Sequence, residues 1–127
     1  MRKDLIFGMS VVESLPTTVV AGGGDNGVAV STSLKYAAKH ILHVEAVTTT
    51  ITVKLQHSDS SGSGYVDVPA AQMLGGVNLV TILDTADNSA AQIGGFNLKE
   101  FQRIVTVAGA GTLHAVAVLA DNLSVGA

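Results

Sequence analysis

The chain has 127 residues, enough for one hydrophobic core and too few for two, and its lack of cysteine excludes disulfides and thiolate metal sites. The net charge is −3, and the seven basic residues, Arg2, Lys3, Lys35, Lys39, Lys54, Lys99 and Arg103, form no stripe that could neutralise a run of phosphates, so nucleic acid is not an expected partner. Charged residues make up 13% and hydrophobic ones 47%, against about 25% charge in ordinary soluble domains; part of such an exterior is expected to be covered by other subunits.

At the start, Arg2 and Lys3 ahead of the apolar residues 5–12 imitate a signal peptide, but Asp4 and Glu13 bracket the run, which predicts an N-terminal strand or arm. Residues 17–21 and 28–33 read as strands around a glycine-rich segment in which Asn26-Gly27 favours a tight primed turn. Residues 1–33 are thus expected to be an arm that adds a strand to a neighbour, or a first hairpin, ahead of a body at 34–127 within one domain. Leu34, Ala37, Ala38, Ile41 and Leu42 fit a helical face. At most one short helix, near residues 34–39, is predicted, followed by a strand from His40 to Thr48.

Ile51, Val53 and Leu55 alternate with Thr52, Lys54 and Gln56, and Val66 and Val68 alternate with Tyr65 and Asp67. Period two on both sides of a Ser/Asp/Gly run at 58–64 predicts a hairpin rather than a flexible tether. Residues 77–83 read as a strand between Gly75-Gly76 and the polar segment 84–89, and residues 91–96 as a short strand bent at Gly94-Gly95. Residues 103–107 and 113–119 are β-branched and alternating, and the small loop 108–112 between them predicts a second hairpin. The apolar stretch 104–120 is broken by Gly109 and Gly111, carries His114 and falls short of the ~20 residues of a spanning helix, so no membrane partner is expected. Turn signals every eight to twelve residues indicate an all-β, antiparallel, jelly-roll-like sandwich.

No catalytic constellation is legible, and an enzyme is not expected. His40 and His43 are the nearest approach to a metal pair, yet their odd separation sends them to opposite faces of a strand, and a third ligand is missing. His57 and His114 read as hydrogen-bonded sheet residues, and nothing resembles the G-x-S-x-G nucleophile elbow. Asp84, Asp87 and Asn88 offer oxygens but lack the glycine and terminal Glu of an EF-hand loop, so a solvated turn is expected. Catalytic, cofactor and metal residues are therefore all expected to be absent. With only Phe7, Tyr36, Tyr65, Phe96 and Phe101 as aromatics, a base- or sugar-stacking platform is poorly supported.

Two runs carry a family likeness: HILHVEAVTTTITVKLQHSDSSGSGYVDVPAA and GGFNLKEFQRIVTVAGAGTLHAVAVLA. Together they resemble small β-sandwich structural proteins of tailed bacteriophages, in which a V-x-x-S-D-D-G-S-x-x-D-V type hairpin precedes a K/R-R-Y-x-R-V-x-V-T-x-x-G strand and a final apolar strand. Gln56 to Gly62 with Val66, Asp67 and Val68 stand for the first motif; Lys99 to Val107, with Phe101 in the aromatic place and Arg103 as the basic residue, stand for the second. The chain departs at Ser60, where the pattern has a second Asp, and at Gln102. The likeness spans residues 40–120 and implies a virion protein on the capsid surface, a decoration or cement protein that binds the major capsid protein. It would be homo-oligomeric, a trimer suiting local threefold positions and a dimer being the alternative. Other roles the sequence permits are a tail or head–tail joining protein and a carbohydrate-binding β-sandwich module.

Overall fold

Two long strands organise the molecule. In the computed structural model, which describes residues 9–22, 24–31, 37–83 and 88–120, β3 (Ala37–Ser58) and β7 (Phe101–Ala120) run antiparallel, from Ala37 opposite Ala120 to Ser58 opposite Phe101. Both are rich in β-branched residues and alternate with period two, the pattern of a strand with one face buried. The free edge of β7 carries β1 (Met9–Ala21) and β2 (Val30–Ser31). The free edge of β3 carries β6 (Ser89–Phe96), β5 (Val80–Ile82) and β4 (Val66–Asp67). The result is one antiparallel sheet of seven strands, with a single 3-10 turn at Ala70–Gln72 and no α-helix among the described residues.

The sheet becomes a sandwich by folding across its middle. Along β3 the alternating buried residues include Ala38, His40, Leu42 and Val44, then Ile51, Val53, Leu55 and His57; along β7 they include Gln102, Ile104 and Thr106, then Leu113, Ala115, Ala117 and Leu119. Each strand switches from even to odd positions, and the switch coincides with four register irregularities between Val44 and Val53. An extra residue on one strand flips side chains to the other face and bends the strand. At the bend the backbones press together. Gly109 has φ 102°, and a Cβ there would overlap the Thr50 carbonyl and the Ile51 backbone, while one at Gly111 would overlap the Ala46 carbonyl.

The two halves meet face to face. Leu15, Leu42, Ile51, Leu55, Ile104 and Leu113 are fully buried in one cluster drawn from both sides of the bend, each contributing about 1.5–3 kcal/mol. A smaller cluster, Val30, Ala38, Ala117 and Leu119, closes the end farthest from the bend. There His40, paired in the ladder with Ala117, donates from Nε2 a 2.7 Å bond to Oε1 of Gln102, which is paired with His57 at the other end of the ladder. Side chains from opposite ends of the sheet can touch only if it is folded double. Both are fully buried, and His40 Nδ1 and Gln102 Nε2 have no partner among the described protein atoms.

The all-β antiparallel sandwich expected from the alternation is the observed fold, and the 58–64 segment is the tip of the β3–β4 hairpin, with Gln56 opposite Asp67. Three local expectations differ from the structure. The predicted hairpin at 108–112 does not exist, because β7 passes straight through those residues as a bent strand. The stretch from Ala37 to Lys39 is strand rather than helix, since it pairs with β6 on one side and β7 on the other; residues 34–36 of the predicted helix lie outside the described residues. The two N-terminal strands do not pair with each other through a turn at Asn26-Gly27. Both lie on the chain's own β7, and the segment between them follows its edge through bonds from Gly22, Gly24 and Gly27 N–H to the carbonyls of Gly109, Thr106 and Ile104. Residues 1–8 and 32–33 of the expected arm lie outside the described residues.

Two predictions follow from the bend and the closure. Gly109→Ala combines a left-handed φ with a backbone overlap and should lower stability by about 3 kcal/mol or more in denaturant unfolding; an unchanged midpoint would show that the bend tolerates a side chain. Burial lowers the His40 pKa to about 4, against the opposing effect of its bond to Gln102. The unfolded chain therefore takes up the proton first as pH falls, so stability contributed by neutral His40 is complete above pH ~6.5 and is lost toward pH 4, by about 3 kcal/mol. His40→Leu combined with Gln102→Leu should remove that share of the acid sensitivity, measured as unfolding free energy at pH 7 and pH 4 in both proteins; an identical pH dependence would refute the assignment.

Candidate functional site

The histidines are separated by the alternation that the sequence shows. His40 points into the core, whereas His43 lies on the exposed face. His43 is directly opposite His114 on β7, and Glu13 of β1 reaches His114 with Oε2 3.3 Å from Nε2. This row across three strands was not visible in the sequence, because it depends on register between segments seventy residues apart. Among the described residues no three His, Asp or Glu groups are placed to hold a metal ion, and the Glu13–His114 contact is a surface pair of small energetic weight. His57 is buried and its Nδ1 accepts the Lys99 N–H at 3.2 Å. Burial, then the Lys99 charge, lowers its pKa, with Asp59 opposing. Asn88 adopts φ 55° and its N–H donates to the Glu45 carbonyl; Asp84 and Asp87 lie outside the described residues.

The two motifs that carry the phage likeness meet in space. Lys54 Nζ lies 3.0 Å from Asp67 Oδ1, to which Gln56 Nε2 also donates at 3.0 Å. Gln56 Oε1 in turn accepts from Arg103 Nε and Nη2 at 3.2 and 3.0 Å, and the guanidinium sits 4.1 Å from the Tyr65 ring centroid. One chain of contacts thus joins β3, β4 and β7 across the outer face. The bonds from Gln56 and Lys54 hold the Asp67 carboxyl below its usual range, and burial pushes the Tyr65 hydroxyl up against the opposing Arg103 charge. In the hairpin tip Ser58 Oγ donates to the Ser63 carbonyl and accepts from Ser60 N–H, and the Tyr65 hydroxyl donates to the Ser61 carbonyl. The Ser/Gly run is therefore a braced loop. Arg103 occupies one face of the Tyr65 ring; Phe7 and Tyr36 lie outside the described residues.

On the same edge of β3, next to β4, the prominent feature is apolar. Val77, Leu79 and Leu83 are 62%, 47% and 58% exposed, and Leu74 is 47% exposed, while Val80 and Ile82 turn inward. Asn78 holds this segment in place. Its Oδ1 accepts the Leu55 N–H at 2.8 Å, and its Nδ2 donates to the Leu55 carbonyl at 2.8 Å and the Val68 carbonyl at 2.9 Å. The side-chain amide thereby fills a gap in the ladder between β4 and β5. The sequence offered one signal for this clamp, a lone amide in an otherwise apolar run. Beside Leu74, a hollow of ≈ 280 Å³ is lined by Lys39, Gly75, Gln92, Ile93 and Gly94. No helix among the described residues is long and apolar enough to cross a membrane.

No protein-family model matches the chain, and no curated protein matches it significantly. Solved structures do. An SPBc2 prophage-derived protein, YomS, superposes with TM-score 0.57 and 11% identity over 87% of this chain and 91% of its own. A protein of Bacillus endospore appendages, disulfide-linked pili, superposes with TM-score 0.52 and 14% identity over 90% of this chain and 88% of its own. A carbohydrate-binding module from Clostridium stercorarium, solved with cellobiose, reaches only TM-score 0.43 at 9% identity, over 91% of this chain and 83% of its own, too slight an overlap to support an argument. At these identities the likeness establishes a shared β architecture.

Proposed function

We propose that this chain is a virion structural protein of a tailed bacteriophage, a head decoration or cement protein that sits on the capsid surface, binds the major capsid protein and bridges its subunits. The observation that carries the proposal is a sandwich with apolar side chains exposed on its strands and on the segments between them. Val11, Val12, Val28, Ile41, Val66, Leu74, Val77, Leu79, Leu83 and Val107 are all exposed on a chain with only 13% charged residues. A monomer in water gains nothing from such a surface. A protein repeated over a shell gains at every copy, because about 25 cal/mol per Å² of buried apolar area accumulates over many small joints. The architecture shared with a prophage-derived protein supports the phage setting. Function by adhesion requires no reacting groups, and no enzymatic role is proposed. The pilus likeness does not extend to covalent linkage, since this chain has no cysteine.

The test is addition of purified protein to capsids lacking it, followed by quantitative mass spectrometry of sedimented particles and a thermal-release assay of the packaged genome. Saturation at a copy number set by the capsid lattice, with release shifted to higher temperature, is expected. Failure to sediment with shells would overturn the proposal, and a copy number matching a single vertex would move the protein to the head–tail joint.

A further inference from the structure

We infer that two copies of this chain associate through β5, edge to edge and antiparallel about a two-fold axis at Thr81, so that the sheet continues from one subunit into the next. The inner edge of β5 is paired with β3, Val80 to Val53, Thr81 to Thr52 and Ile82 to Ile51, and among the described residues no strand lies along its outer edge. Unpaired strand edges are the usual template for adding another strand.

The occupant is selected by the sequence of the strip. Residues 79–83 read Leu-Val-Thr-Ile-Leu, which is nearly the same in reverse. An antiparallel two-fold pairing centred on Thr81 sets Leu79 opposite Leu83 of the partner subunit and Thr81 opposite its own image on the solvent face. On the core face it sets Val80 opposite Ile82 of the partner subunit. Apolar pairs and Thr–Thr pairs directly opposed across strands are the stabilising combinations. An isologous contact also brings each surface against itself, so any charge in it would repel. Residues 68–83 contain none, the next charge along the chain being Asp84, and Lys54 and Asp67 on the adjoining stretch of the same edge neutralise each other.

The strand is held ready for this contact. The three Asn78 bonds, two of them to Leu55 of β3, hold the start of the strip in register, with Leu79 outward. Val77, two residues before Leu79, is exposed as well and enlarges the apolar contact toward the ~800 Å² per partner of a stable interface. The pair is two-fold, not the threefold ring that capsid geometry led the sequence to favour, and it stands independently of any role on a virion.

The absence of native cysteine makes the test clean. Thr81→Cys, an exposed substitution, places single thiols face to face on the axis, where opposed Cβ atoms lie about 4.5–5.5 Å apart, close to disulfide geometry. Under mild oxidation it should form a covalent dimer on the order of a thousandfold faster than Val11→Cys on the far edge, because a paired thiol experiences roughly millimolar effective concentration in a micromolar solution. Light scattering should show wild-type dimers, and Leu79→Lys should give monomers with an unchanged circular dichroism spectrum. The inference is overturned if Thr81→Cys links no faster than Val11→Cys. It is also overturned if the wild type is monomeric at every concentration, leaving the strip for a foreign strand, or if dimers survive Leu79→Lys.

Discussion

Everything in this fold depends on bending two paired strands without breaking their ladder. β3 and β7 are too long to lie flat within so small a molecule, and a flat sheet would leave one face of Leu42, Val44, Ile51, Val53, Leu55, Ile104 and Leu113 without cover. The bulges between Val44 and Val53 solve both problems, shifting the inward face from even to odd residues while the sheet doubles over. Glycine at 109 and 111 permits the inner backbones to approach where a Cβ would collide. Once the bend is made, each half of the sheet becomes the other's core. The His40–Gln102 bond and the cluster around Val30, Ala38, Ala117 and Leu119 are consequences of that geometry.

The same bend explains where sequence reading succeeds and where it stops. Alternation is a local property, so the 51–56 strand, the 66–68 strand and the loop joining them were legible, as was the opposite facing of His40 and His43. Gly109-Ala110-Gly111 gives the identical local signal to a hairpin tip, small residues between two alternating runs. Whether such a segment reverses the chain or merely kinks it is decided by its neighbour. β3 runs alongside from Val47 opposite Gly111 to Thr52 opposite Ala108, and it supplies partners on both sides of the kink. The Gly22 to Gly27 segment was misread for the same reason, because its carbonyl partners belong to β7, some eighty residues away.

Of the candidate site, the parts made by chemistry within one hairpin were readable and the parts made by register were not. Asp67 and Arg103 stood out in the motifs, but the amide of Gln56 that connects them is visible only when β4 and β7 flank the same residue of β3. Its role is mechanical: a neutral relay lets an anion and a cation brace one outer face without direct contact, with Tyr65 lying under the cation. Exposed ion pairs add little stability singly, and networks of hydrogen bonds add more by fixing geometry. The face so braced is the charged one.

The neighbouring β5 strip is organised on the opposite principle. Where the Arg103 network uses polar groups to stiffen a wet surface, Asn78 uses one buried-side amide to stiffen an apolar surface, with three bonds to β3 and the Val68 carbonyl holding Val77 and Leu79 in water. A flexible apolar segment would fold back on itself or associate with anything. A clamped one presents a fixed spacing of side chains and an open backbone edge, so that association becomes selective for a strand of matching pattern. The low charge of the chain then ceases to be a liability where exposed apolar side chains, such as Val77 and Leu79 beside Asn78, are held in fixed positions. Selectivity without charge is what a protein needs if it must meet its own kind, or a regular lattice, many times over in the same orientation.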